Sequence, residues 1–201
     1  MTTDIEIAVK HVAEMLKVRG EDVSEFLKAA ADVQPTQYYS KIIDYMTSHT
    51  KIFFALNKEL AKELIKEWKD STGQDLVDTY ERKSILLVLS EKPSSTSLTT
   101  IEVKDKALGT LNGMLQMYLL KELLYNPSKH QLVPLHERMD DTEINELLDK
   151  YMLKNRNQLP VILRSDVMAR YLGLKPGEVV RITRYNETSG KYFYYRVCSA
   201  R

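Results

Sequence analysis

The sequence predicts a two-domain chain of mixed α/β and α+β character: an N-terminal α/β domain with a mixed sheet and flanking helices, then a smaller α+β domain. Three observations predict it. Helix-period stretches alternate with β-branched and aromatic runs along the first half, as when strands pair across intervening helices. Residues 84–90, SILLVLS, form a short unbroken apolar run, as expected of a strand covered on both faces. Asn126, Pro127 and Ser128 then interrupt the pattern, and beyond them two helical stretches precede a hairpin, so the domains are expected at 1–128 and 129–201.

Ile5, Ala8, Val9, Val12 and Leu16 keep a helical rhythm that Val23, Phe26, Leu27 and Ala30 resume after a break at Gly20, so two helices open the chain. Past a turn at Pro35, IIDYM and KIFFAL read as strands joined by the loop TSHT. Asn57 is placed to cap a helix through Leu60, Leu64, Ile65 and Trp68, with Gly73 expected as the left-handed residue that stops it. A strand, a helix and a second strand, SILLVLS, should follow. Residues 91–100, EKPSSTSLTT, read as an exposed loop, and the apolar residues 111–124 as helix or strand. Asp140 with Glu143 has the form of a capping box ahead of Ile144, Leu147, Leu148 and Tyr151 on one helical face. Ser165 is expected to cap a second helix, carrying Met168, Tyr171 and Leu172 and stopped by Gly173. Lys175, Pro176 and Gly177 make a tight turn before Val179, Val180 and Ile182, and the loop NETSG leads into KYFYYRVC. No internal repeat or low-complexity tract is present.

At 43% hydrophobic residues, wholesale disorder is excluded, and 29 basic against 28 acidic residues leave no net charge that would by itself select a partner. The charge is unevenly placed, however. Residues 150–201 hold 11 Lys/Arg against 3 Asp/Glu, net +8, and the preceding 149 hold 18 against 25, net −7. A single cysteine, Cys198, cannot close an intrachain disulfide, and four scattered histidines lack the spacing of a zinc site, so a reducing compartment and no bound metal are expected. The acidic residues Asp4 and Glu6 do not suit a secretory leader, and no apolar run approaches the length of a membrane span, so no membrane partner is expected.

Glu102 and Lys104 form an E-x-K triplet, which on a strand, with Asp75 or Asp78 upstream, is the ligand pattern of metal-dependent nucleases; a solvated charge cluster explains it more simply. His11, His49, His130 and His136 stand in no nucleophile context, and Cys198 reads as a small buried hydrophobe. Gly109 and Gly113, like Gly173 and Gly177, are spaced G-x-x-x-G, which fits neither a dinucleotide fold nor a P-loop, so no catalytic residue and no cofactor are expected. The terminal hairpin is the most distinctive segment. Arg181, Arg184, Lys191 and Arg196 stand among Tyr185, Tyr192, Phe193, Tyr194 and Tyr195, which suits single-stranded nucleic acid and a protein interface equally well, with an ordinary solvated hairpin as the third reading.

The residues from His130 onward carry a resemblance. His130 and Leu132 to Pro134 begin it, followed by Glu146, Leu147, Leu148 and Tyr151, then Gln158, Leu159 and Pro160. It continues through Ser165 and Asp166, Ala169 to Lys175, Gly177, Val179 and Val180, and Glu187 to Tyr192 with Tyr195 and Arg196. This succession resembles the C-terminal assembly domain of the fifth subunit of eukaryotic DNA-directed RNA polymerases, a domain whose archaeal polymerase counterpart lacks the N-terminal jaw. Departures fall at Val161 and Leu163, where the family has Arg and Gln, and at Tyr185 and Asn186. The first 128 residues are more loosely similar to the family's jaw, through element order and through SILLVLS followed by Lys92, Pro93, Ser94 and Ser95, where relatives carry a Thr-Pro-Ser-Ala loop near downstream DNA.

The resemblance implies a non-catalytic polymerase subunit. Its assembly domain would dock on the largest subunit, with Arg170, Tyr171, Lys191 and Arg196 at the contact, among further subunits of the enzyme; the alternative is that Tyr171 and Tyr195 only pack the small domain. Its jaw would flank downstream double-stranded DNA through Lys92, Pro93, Ser94 and Ser95 without sequence preference. It would work in the nucleus, or in a virion or cytoplasmic factory if a large DNA virus encodes it. The other readings are a free-standing nucleic-acid-binding module built on the basic aromatic hairpin, and a nuclease.

Overall fold

The computed structural model describes residues 3–186, 188 and 190–199. They divide into two compact units, one running to Tyr125 and the other starting at Asn126. Each is built on its own four-stranded mixed sheet.

In the first unit, Thr3 caps helix α1 (Asp4–Val18) through a capping box with Glu6, and α2 (Ser24–Ala31) and the one-turn α3 (Gln37–Ser40) follow. Strands β1 (Ile43–Met46) and β2 (Thr50–Ala55) form an antiparallel hairpin in which Tyr45 lies opposite Ile52. Asn57 caps α4 (Lys58–Asp70) by accepting the amide of Glu59. The expected strand after α4 is absent, and α5 (Gly73–Tyr80) leads directly into β3 (Ser84–Leu89). Helix α6 (Ser95–Thr110) then returns the chain to β4 (Met114–Leu119), so that β3 pairs in parallel with both β2 and β4. A short 3-10 turn, Leu120–Leu123, ends the unit.

The sheet is buried on both faces, which is why SILLVLS shows no alternation. Phe53, Ile85, Leu87 and Leu115 pack with Ala61, Leu64 and Trp68 of α4, Leu76 of α5, and Ile101 and Leu108 of α6. On the opposite face Phe26 of α2 meets Tyr45 edge-on, and Tyr38 of α3 meets Phe54.

Two local expectations are corrected here and one open alternative is resolved. Gly73 does not stop α4: the chain turns at extended Ser71, and Gly73 is the first residue of α5, where a Cβ would lie 3.0 Å from the Cβ of Ala107. It is glycine because α5 crosses close to α6. Residues 91–100 are not loop throughout, because Ser94 accepts the amide of Ser97 and starts α6 at Ser95. A hydroxyl-rich stretch with no apolar rhythm looks like loop, yet a Ser N-cap sets it winding. The ambiguous residues 111–124 contain both β4 and the 3-10 turn.

In the second unit, β5 (Leu135–Arg138) precedes α7 (Asp141–Lys150), whose capping box joins Asp140 and Glu143 as the sequence suggests. The two-residue β6 (Val161–Ile162) precedes α8 (Val167–Leu172). That helix is capped by Asp166 rather than Ser165: the Asp166 carboxylate accepts the amides of Met168 and Ala169, at 2.8 and 3.4 Å. Gly173 ends it in the left-handed conformation, φ 64°. Long strands β7 (Val179–Asn186) and β8 (Gly190–Cys198) form the hairpin, and the sheet order is β5-β7-β8-β6. Val179 and Val197 face α7 with Ile144, Leu147 and Leu159. Val180, Ile182 and Cys198 are buried on the other face.

Candidate interaction surfaces

The hairpin β7–β8 is longer than the helices that cover it, so its base is core and its distal half projects. Antiparallel pairing puts directly opposed residues on one face. Leu135, Thr183 and Phe193 therefore share one distal face with Tyr185 and Lys191, and Arg184, Tyr192 and Tyr194 share the other. Tyr185 is 77% exposed, Leu135 61% and Phe193 45%. Apolar and aromatic surface thus stays in water on both sides of one ribbon, the pattern of a recognition surface rather than of a core.

Cations sit over these rings. The Arg184 guanidinium is 5.3 Å from the ring centre of Tyr194 and that of Arg196 is 5.5 Å from the same ring, while the Lys191 ammonium lies 5.3 Å from Phe193. Arg181 also lies 5.8 Å from the ring centre of Phe193, but it is paired as well. Its guanidinium donates to Glu143 at 3.0 Å and to Glu137 at 3.3 Å. Burial pushes this guanidinium down, but the Glu137 and Glu143 carboxylates outweigh it and hold it above its ordinary value. Arg181 therefore ties α7 and β5 to β7, and the exposed basic charge of the ribbon falls to Arg184 and Lys191.

One edge of the hairpin is open. The amides of Val197 and Ser199 donate outward, to Pro160 and Ile162 around β6, whereas that of Cys198 donates inward to Glu178. Backbone groups alternate along a strand, so Lys191, Phe193 and Tyr195 aim their N–H and C=O groups at the same outer edge. There β6 pairs only with Val197 and Cys198, and among the described residues no strand covers the rest.

The anticipated contact residues separate into different environments. Lys191 is exposed and Arg170 and Arg196 are half-buried. Arg196 donates to the carbonyl of Val161 at 3.1 Å, and its Nε is buried without a partner. Tyr171 is buried, at 5% exposure, with its hydroxyl 3.3 Å from the Asn126 amide nitrogen, so it also packs the small domain and positions α8. Its aromatic ring on an amphipathic helix could not be told from a surface anchor by type alone. The exposed Leu135 on β5 was missed, because four residues of LHER give no period to recognise. Burial pushes the His136 imidazole down from 6.5; the hydrogen bond it donates to the Pro134 carbonyl and the Asp166 carboxylate oppose this, and Arg184 and Arg196 add to it. Burial likewise pushes the Cys198 thiol up.

In the first unit Lys92, Pro93, Ser94 and Ser95 form the turn from β3 into α6, and Lys92, Ser94 and Ser95 are exposed. The nuclease triplet does not form. Glu102 and Lys104 lie on α6, not on a strand, so two-residue spacing turns them away from each other. The buried Lys104 ammonium donates to the carbonyls of Lys69 and Ser71 at the end of α4, and Asp75 belongs to the capping box of α5. Among the described residues no three acidic, histidine or cysteine groups gather as a metal site.

These features define the class: a two-unit α/β chain whose second unit is a small mixed-sheet domain presenting a basic aromatic ribbon with one open edge. Residues 125–198 match the family described as RNA polymerase Rpb5, C-terminal domain. Subunit RPABC1 of DNA-directed RNA polymerases I, II and III from Caenorhabditis briggsae is 48% identical over 84 residues, 42% of this chain and 39% of that protein. The same subunit from Caenorhabditis elegans gives the same figures. The matched segment thus spans about two-fifths of the curated relatives' length. In that segment the chain is similar to the fifth subunit of eukaryotic-type DNA-directed RNA polymerases.

Proposed function

We propose that the chain is a non-catalytic subunit of a multisubunit DNA-directed RNA polymerase. Its second unit docks on the largest subunit, and its first unit flanks downstream duplex DNA during transcription. The observation that carries the reading is the match of residues 125–198 to the polymerase-subunit family, falling on the part of the chain that contains the exposed ribbon. Arg170, Tyr171, Lys191 and Arg196 remain the proposed subunit contacts, Tyr171 through its placement of α8, and the open edge of β8 offers backbone groups to an extended segment of the partner. Lys92 to Ser95 remain the proposed approach to DNA, by phosphate contact and without sequence preference. The site of action is the nucleus; a virus-encoded chain would act in a viral factory or be carried in the virion.

The alternative, a free-standing nucleic-acid module on the hairpin, has in its favour the exposure of Tyr185, Phe193 and Tyr194. Against it, cations already lie against the rings of Phe193 and Tyr194, and a stacking base would have to displace them. Alanine at Arg170, Lys191 or Arg196, tested for incorporation into polymerase in cells lacking the unaltered chain, is expected to reduce incorporation at one or more positions. Lys191 is the cleanest, being exposed and remote from the core. Full incorporation of all three variants would overturn the ribbon as the contact.

A further inference from the structure

Helix α4 has four lysines and four acidic residues in thirteen, so its composition is neutral. Its geometry is not. Lys58, Lys62, Lys66 and Lys69 recur at spacings of four, four and three and form one stripe; Glu59, Glu63, Glu67 and Asp70 follow each by one position and form the adjacent stripe. The lysine stripe borders a groove of about 490 Å³ against α6, whose opposite wall carries the hydroxyls of Thr96, Ser97, Thr99 and Thr100. Among the described residues no carboxylate lines it. A second hollow of about 230 Å³ shares Lys62 and Ile65 with the first and continues past Lys58 to Lys92 and Ser94.

Two of the lysines are partly neutralised: Lys58 lies 3.4 Å from Glu91 and Lys62 lies 3.0 Å from Glu59. Lys66 and Lys69 are exposed and have no carboxylate within ion-pair distance among the described residues. From Lys58 to Lys69 the helix rises about 16 Å, at about 1.5 Å per residue. One strand of B-DNA sets a phosphate about every 3.4 Å along its axis, so the track spans roughly five phosphates.

We infer that the groove between α4 and α6 is a phosphate track for duplex DNA, extending the contact at Lys92 along the lysine stripe with Lys66 and Lys69 as its principal charges. The inference rests on the proposal that this unit flanks DNA. It answers a difficulty that composition raises, since a domain of net negative charge repels a polyanion unless its cations are gathered on one side. The lysine ammonium groups supply the donors along the track, the hydroxyls of Thr99 and Thr100 being turned to the carbonyls of Ser95 and Thr96, and nothing there has base-reading geometry, so the contact is indifferent to sequence.

The test is the salt dependence of binding of the full chain to a labelled mixed-sequence duplex, measured by fluorescence anisotropy. Each phosphate contact contributes about −0.9 to the slope of log K against log salt, so Lys66→Gln with Lys69→Gln is expected to make the slope shallower by about 1.8. Between about 50 and 200 mM salt that is a roughly twelve-fold smaller fall in affinity. Lys10→Gln with Lys17→Gln, two exposed α1 positions with the same change in net charge, is expected to leave the slope within about 0.5 of the unaltered chain's. Equal effects of the two pairs would overturn the track, the response then being one of net charge. A response to Lys92→Gln but not to the α4 pair would overturn the track and leave DNA flanking standing. Absence of any salt-dependent duplex binding, or preference for an acidic peptide over the duplex, would overturn both.

Discussion

Two glycines four residues apart should respond to alanine with opposite signs. Gly109 lies in the last turn of α6, exposed, and a Cβ there meets nothing within 4 Å. Alanine in a helix is better than glycine by roughly 0.5–1 kcal/mol, and near a helix end the lower figure applies. Gly113 precedes β4, and a Cβ there would lie 2.0 Å from the carbonyl oxygen of Lys83 and 2.9 Å from its carbon. An ordinary carbon–oxygen contact is about 3.3 Å, so one backbone must withdraw by more than an ångström. Neither moves freely: the Lys83 carbonyl accepts the amide of Met114 at 3.2 Å, and the Gly113 amide donates to Leu108 at 2.8 Å. Overpacking costs about 1–3 kcal/mol and a lost hydrogen bond about 1, giving a loss of roughly 3 kcal/mol for Gly113→Ala. Trp68, the chain's one tryptophan, is fully buried against the same sheet, so its fluorescence in a urea titration reports this unit alone. The midpoint should rise slightly for Gly109→Ala and fall by about 1 M or more for Gly113→Ala. Shifts in the same direction, or a Gly113→Ala midpoint indistinguishable from the unaltered chain's, would refute the close approach of Gly113 to Lys83.

Lys104→Met keeps the stem volume but removes the donor from the carbonyls of Lys69 and Ser71, and should cost this unit about 1–3 kcal/mol in the same titration; an unchanged midpoint would mean that the buried ammonium holds nothing. His136 is held below 6.5, so the folded state binds fewer protons than the unfolded chain there. Its contribution to the second unit is therefore present above pH 6.5 and is lost as pH falls through the lower folded value, a decline that His136→Gln should flatten and that a slope of opposite sign would contradict. Cys198, buried and with its thiol pushed up, should react slowly with an alkylating reagent in the native protein and rapidly in denaturant, and equal rates would place it at the surface.

What could be read from the sequence follows from where the local signals are strong. SILLVLS, the Asn57 cap, the Asp140–Glu143 capping box and the Gly173 stop each depend on a few adjacent residues, and each is found in place. The start of α6 could not be read, because Ser95 to Thr100 form a helix whose exposed residues are hydroxyl-bearing and whose apolar face begins only near Ile101. Strands β5 and β6 are too short to show a period and exist because β7 and β8 offer them edges. At the candidate surfaces, residue type identified the ribbon but not its inner and outer members. Tyr171 is core, Arg181 is neutralised by Glu137 and Glu143, and Lys191 stands exposed to water, distinctions that depend on partners distant in sequence. The lysine stripe of α4 was hidden by an equal number of acidic residues in the same helix.

Membership of a polymerase can be tested by recovering the tagged chain from its native source and identifying what stays bound at moderate salt. The large polymerase subunits are expected in near-equal amount with the chain, and are expected to be lost from a preparation carrying Lys191→Ala with Arg196→Ala. Recovery of the chain alone, or with nucleic acid that salt removes, would contradict it.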